Sequence, residues 1–306
     1  MAGLSSHIEK KRDLRKQINH HIHIKMTEFS YACEDLEIYF SLFSAKENLY
    51  VSEKVLVLPP NNAVIDDKNG AIFLDVGNLD QIRDLHLVCH VIKNNKMGIN
   101  NNENFNTLTS SKKSTCFRRP YACAVMNISK IITKVAGTIM DFEAKLNLTD
   151  DKDFYHLHEH IVKKITGKFS PVPGLGQTSC VKVSLRFVGH EFVKGSNLPE
   201  VRRVGFPNVI MPGEVRNDLY VTLDRGNFDR GGKTASRNIE VSLVVIDQTG
   251  KTVENCIFYS SGSRGSSRST LPILYHNNSP IWNETVRFLE VVKIAKYPRF
   301  SKKMPS

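Results

Sequence analysis

Residues 85–93 read LHLVCHVIK, and Leu85, Leu87, Cys89 and Val91 of this run fall on one face if the backbone is extended. An apolar period of two cannot be satisfied by a helix, so this segment must pair with neighbouring strands. Similar short runs recur at 35–43 (DLEIYFSLF), 50–58 (YVSEKVLVL), 71–77 (AIFLDVG), 118–128 (RRPYACAVMNI) and 181–189 (VKVSLRFVG). Each is bounded by Asn, Pro, Gly or Asp, the residues that punctuate strands. A second series follows at 218–223 (DLYVTL), 239–246 (IEVSLVVI), TLPILYH and IWNETVRFLEVVKI, with turn signals at DQTG and in a Gly/Ser/Arg loop at 260–269. The pattern predicts a mostly β protein with two tandem β-sandwich regions.

Other segments set the boundaries. Ile8, Leu14, Ile18 and Ile22 recur at mostly three- and four-residue steps among Lys10, Lys11, Arg12, Arg15 and Lys16, which predicts a short basic helix over 1–25. Residues 94–116, rich in Asn and Ser, are expected to be a long mobile insertion. A helix is expected near 151–166, with acidic residues at its start and lysines at its end. The expected organisation is a helix at 1–25, a β-rich domain at 26–190, a Gly/Pro-marked linker at 191–217 and a second β domain at 218–306.

The chain carries 42 basic and 31 acidic residues, a net charge of +11, so its partners are expected to be anionic. No stretch reaches the ~18 apolar residues of a membrane-spanning helix. No apolar run follows the basic N-terminus, so no signal peptide is expected and an intracellular location is. Cys33, Cys89, Cys116, Cys123, Cys180 and Cys256 show no CxxC spacing and are expected to be buried free thiols.

Four candidate chemistries can be weighed on residues 224–238, DRGNFDRGGKTASRN, and on the histidines. GGKT resembles the end of a phosphate-binding P-loop, but that loop needs glycine at 227, where Asn stands, and a helix after it, where a strand pattern begins. Nucleotide hydrolysis is therefore not expected. Zinc could be approached by His20, His21 and His23, or by His156 and His160 with His158 between them, but neither cluster has HExxH spacing or a cysteine pair. Calcium is disfavoured because Asp224 and Asp229 are outnumbered by Arg225, Arg230, Lys233 and Arg237. An anion site remains: Arg230, Lys233 and Arg237 lie at three- and four-residue steps around the flexible pair Gly231 and Gly232. A solvated loop whose charges keep it soluble fits the same residues, and residue chemistry leaves both open. No cofactor and no metal are expected.

The stretches GFPNVIMPGEVRNDLYVTL (205–223), GGKTASRNIEVSLVV (231–245) and LYHNNSPIWNETVRF (274–288) resemble the DOCK (dedicator of cytokinesis) family of atypical guanine-nucleotide exchange factors. CFRRPYACAVMNIS (116–129) resembles the family's preceding N-terminal region, and YHNNSPIW and RGGK lean toward the DOCK-B subgroup. The resemblance covers roughly residues 20–290 and implies a C2-type second domain that binds membrane phosphoinositide. It implies Arg230, Lys233 and Arg237 as the phosphoinositide-binding residues, with Gly231 and Gly232 giving the loop its flexibility. It also implies a cytoplasmic protein recruited to the plasma membrane. Exchange on Rac-type small GTPases belongs to a C-terminal region that nothing here resembles, so the chain is expected to have no catalysis of its own. The likeness stops after Phe288, which leads to the expectation of a fragment whose second sandwich ends early and exposes a strand edge. The alternative is an interaction scaffold that binds an acidic protein, an adaptor or an autoinhibitory surface; nucleic acid is not expected as a partner.

Overall fold

The structure, a computed structural model, describes residues 21–30, 35–59, 69–77, 82–96, 116–133, 137–174, 178–204, 218–229, 238–289 and 300–303. The first module contains strands β1 (His21–Phe29), β2 (Leu36–Ser44), β3 (Leu49–Tyr50), β4 (Val55–Val57), β5 (Gly70–Phe73), β6 (Leu85–Lys96), β7 (Cys116–Asn127), β8 (Met140–Lys145), β9 (Asn147–Leu148), β10 (Ser170–Pro171), β11 (Cys180–Val188) and β12 (Glu200–Val201). The short helices α1 (Leu157–Val162) and α2 (His190–Lys194) interrupt them. The second module contains β13 (Asp218–Arg225), β14 (Glu240–Leu243), β15 (Ile257–Phe258), β16 (Ser269–Thr270), β17 (Ile281–Leu289) and β18 (Phe300–Lys303).

Two sheets form the first sandwich. One has the order β12-β5-β1-β11-β8; the other runs β10-β9-β7-β6-β2-β3, with β4 also paired to β2. Period two places Ile22, Ile24 and Met26 of β1 inward, facing Phe40 and Leu42 of β2 and Leu87, Cys89 and Val91 of β6 within one buried core. The antiparallel registers Phe40↔Cys89↔Ala124 and Leu42↔Leu87↔Met126 line up three strands of that core. In the second module, sheets β13-β17-β15 and β16-β14-β18 enclose a smaller core of Leu243, Val245, Ile257, Val286 and Phe288. The tandem sandwich expected from the strand pattern is thus present.

The larger sheet of the first module is buried on both faces. Its outward positions Tyr39, Phe43, Val88, Ile92 and Cys123 pack against Phe154, Tyr155 and Leu157 at and before α1. The same cluster contains Leu271, Leu274 and Trp282 of the second module. A sheet covered on both faces needs apolar residues in both registers. This explains why β2 and β6 read as nearly continuous apolar runs rather than clean alternations.

Two sequence expectations require correction. Residues 21–25, assigned to the basic helix, lie in β1: HIHIKM alternates, and pairing with β5 and β11 on both sides outweighs the helical spacing that ended at Ile22. The rest of that helix, residues 1–20, lies outside the described residues, as do 97–115 of the expected insertion. The helix expected near 151–166 is present, as a 3-10 turn at Asp151–His156 followed by α1, which ends at Val162 with Lys164 beyond it at a φ of 52°. Residues 191–204 are not mere linker, since they supply most of α2 and all of β12, and β12 pairs in parallel with β5. In the divergent tail, β18 pairs antiparallel with β14, so that β16 and β18 form the edges of this sheet among the described residues. Cys89, Cys123, Cys180 and Cys256 are free and buried, as anticipated.

Under α1 the core contains an aromatic group with polar atoms. The ring centroid of Tyr50 is 4.9 Å from that of His158, and His90 lies 5.9 Å from His158 and 5.3 Å from Phe154. Tyr50 Oη, His90 Nε2 and His158 Nδ1 have no hydrogen-bond partner among the described residues. Burial penalises the charged imidazoles, with Lys54 adding to it for His90 and His90 for His158, and both are lowered from 6.5 to about 3. Between those values the unfolded chain binds protons that the folded chain refuses, so stability falls as the pH drops through this window. Denaturant unfolding is expected to give a lower midpoint at about pH 5 than at about pH 7.5, and His158→Phe to shrink that difference.

Candidate functional site: the loop mount and the module junction

Arg230, Gly231, Gly232, Lys233 and Arg237 lie outside the described residues. The structure does show what flanks them, because the segment leaves β13 and returns to β14. On the leaving side, Gly226 N donates to Pro280 O at 2.9 Å and Phe228 N to Asn278 O at 2.8 Å. On the returning side, His276 N donates to Asn238 Oδ1 at 2.9 Å. Both stems are therefore tied to one turn, residues 276–280. That turn is held in its own right by the first module: Tyr275 N donates to Asp151 Oδ2 at 3.0 Å, and Arg119 Nη2 reaches the same oxygen at 2.9 Å. The Arg119 guanidinium also stands 5.0 Å from the Tyr275 ring centroid. Asp224, weighed above as a calcium ligand, is paired with Arg225 at 2.7 Å.

His20 lies outside the described residues, and the described histidines do not converge on one site. His156 pairs with Glu159 at 3.2 Å, while His158 points into the core with His90. Among the described residues, no group of three or more His, Cys, Asp or Glu could hold a metal ion.

Behind the loop mount lies a buried polar junction. Glu53 and Lys54 sit between β3 and β4 of the first module and reach across to the second. Glu53 accepts from Tyr220 Oη at 2.6 Å and from Ser261 Oγ, and it forms an ion pair with Arg287, whose Nε lies 3.0 Å from Oε1. Lys54 Nζ donates to Glu284 Oε2, and Tyr155 Oη donates to Glu284 Oε1 at 3.1 Å. Ser261 N donates to Lys54 O at 2.8 Å, so backbone crosses the boundary too. A third set surrounds Arg118, whose guanidinium holds Glu37 at 2.8 Å, Thr270 O at 2.6 Å and the Tyr259 hydroxyl. Trp282 Nε1 donates to Pro272 O at 2.9 Å, which satisfies the polar atom of the largest buried side chain.

The electrostatics follow from this exchange. Burial works against the Lys54 ammonium, but Glu284 and Tyr259 outweigh it and its pKa is raised. Burial likewise opposes ionisation of Glu37, yet Arg118 and its hydrogen bonds hold the carboxyl below its ordinary value. Each module thus offers one buried acid and one buried base to the other: Glu53 and Lys54 against Arg287 and Glu284.

Neither half of the junction stood out in the sequence, although one signal was present. In IWNETVRF the buried positions are Trp282, Glu284, Val286 and Phe288, so a carboxylate stands in an apolar row of period two. A charge at such a position requires a partner. The loop at 260–269 also proves tightly built. Gly262 has a φ of 73°, and a Cβ on it would lie 2.7 Å from Pro199 Cβ of the first module. A Cβ on Gly265 would fall 2.1 Å from the Asn255 carbonyl oxygen.

The architecture is that of a tandem β-sandwich protein whose second module, short-stranded and loop-bearing, is of the C2 type. A family model described as DOCK N-terminus matches residues 1–195, and one described as C2 domain in Dock180 and Zizimin proteins matches 212–290. Dedicator of cytokinesis protein 4 of Homo sapiens is 32% identical over 305 residues, covering 93% of this chain and 15% of that protein. Dedicator of cytokinesis protein 3 of Homo sapiens is 32% identical over 290 residues, covering 89% of this chain and 14% of that protein. The chain belongs to the DOCK family, and these relatives accord with the DOCK-B subgroup toward which YHNNSPIW and RGGK lean. It spans 14–15% of the relatives' length, and the two models that match it are those of the N-terminus and the C2 domain.

Lys54→Met leaves the Glu284 carboxylate buried without its cation and is expected to lower stability by about 3–5 kcal/mol. Adding Glu284→Leu is expected to restore part of that loss, which a double-mutant cycle in denaturant unfolding measures. Gly265→Ala is expected to cost about 1–3 kcal/mol in the same assay, because backbone rather than a flexible side chain fills the space.

Proposed function

We propose that this chain is the regulatory and membrane-targeting portion of a guanine-nucleotide exchange factor for Rac-type small GTPases. In this reading the C2-type module binds phosphoinositide through Arg230, Lys233 and Arg237, and recruits the protein from the cytoplasm to the plasma membrane. Nucleotide exchange itself belongs to a region outside this chain. The observation that supports the reading is the coincidence of a C2-domain match over 212–290 with three cations and a glycine pair between β13 and β14. Guanidinium pairs phosphate oxygens bidentately and lysine adds a point charge, so such a segment suits a polyphosphate head group. The tie from the loop stems to Asp151 would fix the direction in which that segment meets a membrane relative to the first module.

Co-sedimentation with vesicles tests this. The chain is expected to bind vesicles bearing phosphoinositide trisphosphate and not neutral ones. Lys233→Ala with Arg237→Ala is expected to weaken binding by about tenfold or more, since each charge-assisted contact contributes ~1.5–3 kcal/mol. Equal binding to both vesicle types, or no loss in the double variant, overturns the reading.

A further inference from the structure

On the side of the molecule formed by the β12-β5-β1-β11-β8 sheet lies a cleft of about 900 Å³. Its floor is the outward row of β1 and β11, including His23, Lys25 and Arg186, and the start of β5 at Gly70. Its wall is α2 and the residues after it, including Phe192, Asn197 and Leu198, and Ile139 completes the lining. Nothing in the tandem-sandwich core requires this opening. Its size falls within the ~300–1,000 Å³ of typical ligand clefts.

Arg186 is set as a pre-organised donor. Its Nε donates to His23 Nδ1 at 3.3 Å, and its guanidinium lies 4.7 Å from the Phe192 ring centroid. Phe192 in turn meets the His23 ring edge-on, with centroids 5.5 Å apart. Burial, then Arg186 and Lys25, lower His23 to about 4, so at neutral pH it is an uncharged acceptor that anchors the arginine. Among the described residues, the two terminal nitrogens of Arg186 have no hydrogen-bond partner, and Lys25 is exposed and forms no ion pair. Against these two cations stands one carboxylate of the lining, Glu191; Ser184 is taken up by Asp141 on β8 at 2.5 Å. Beside the charges is apolar surface, with Ile139 60% exposed.

We propose that this cleft docks an acidic peptide segment of a partner protein, one carboxylate on the outer edge of Arg186 with Lys25 beside it, and a neighbouring apolar side chain over Ile139 and Leu198. The charge balance selects this occupant. Two cations less one carboxylate leave a net charge of +1, which a single carboxylate matches, whereas a polyphosphate head group carries more charge than they can offset. The apolar lining gives a peptide side chain somewhere to be buried, which a head group lacks. Arg186 enters the complex already held by His23 and Phe192, so little rotamer freedom is lost on binding.

The test is selection of a displayed random peptide library on the full chain, with the enriched peptides then measured by fluorescence polarisation. Enriched peptides are expected to pair Asp or Glu with an adjacent apolar residue. Their affinity is expected to fall roughly ten- to hundredfold in Arg186→Gln. A smaller loss is expected in Lys25→Gln, an exposed change that the fold tolerates, and none in Lys233→Ala with Arg237→Ala. Three outcomes overturn the proposal: no acidic enrichment; peptides that bind Arg186→Gln and Lys25→Gln as well as the parent; or loss of trisphosphate-vesicle binding in Arg186→Gln with no peptide effect, which would make the cleft a lipid site. Failure of the basic-loop reading leaves this test untouched, because the two sites share no residue.

Discussion

The rest of this structure depends on the exchange of buried charge between Glu53–Lys54 of the first module and Arg287 and Glu284 of the second. Each of these ions would be costly to bury alone, and each is answered from across the boundary. The exchange also fixes register. A slip at the boundary would face like charges or leave ions unpaired, which apolar contact alone would not punish. The Tyr155, Tyr220 and Ser261 hydroxyls occupy further acceptor sites on the two carboxylates.

That boundary explains why the first module's larger sheet can be apolar on both faces. Phe154, Tyr155 and Leu157 cover part of that outer face from within the first module, and Tyr39, whose ring centroid is 5.6 Å from that of Tyr259, would lose its cover if the second module swung away. Domains joined by a linker ordinarily move relative to each other unless their interface is large and hydrophobic. Here an apolar cluster, three sets of polar contacts and backbone hydrogen bonds all span the boundary. The two matched family regions thus meet as one packed unit, and the stems of the basic loop are tied through Asp151 to the sandwich below.

Much of this was legible in the sequence where period two is strong. β2, β6, β7, β11 and β17 fall on runs that alternate or are continuously apolar, and the family was readable from GFPNVIMPGEVRNDLYVTL and YHNNSPIW. β1 was missed because Ile8 to Ile22 imitate helical spacing while HIHIKM carries polar residues on its outer face. The junction was missed because its residues are unremarkable singly: Glu53 and Lys54 look like a solvated break in a strand run, and SSGSRGSSRS looks like a flexible loop. Only the fold shows that these two stretches, about two hundred residues apart, solve each other's burial. The cleft over β1 and β11 was equally hidden, since Arg186 and His23 meet only through the register of the sheet.

Trp282 is the chain's sole tryptophan, and it is 1% exposed at this same boundary. Its indole lies 6.3 Å, centroid to centroid, from Phe228, the residue whose backbone anchors one stem of the basic loop. This chain therefore carries one indole, which absorbs and emits to the red of its tyrosines, at the seam between its modules. Its emission would shift to longer wavelength when water enters the seam, whether or not the first sandwich stays folded. Separation of the modules and loosening of the loop mount could thus be followed optically, in the unlabelled chain, apart from global unfolding.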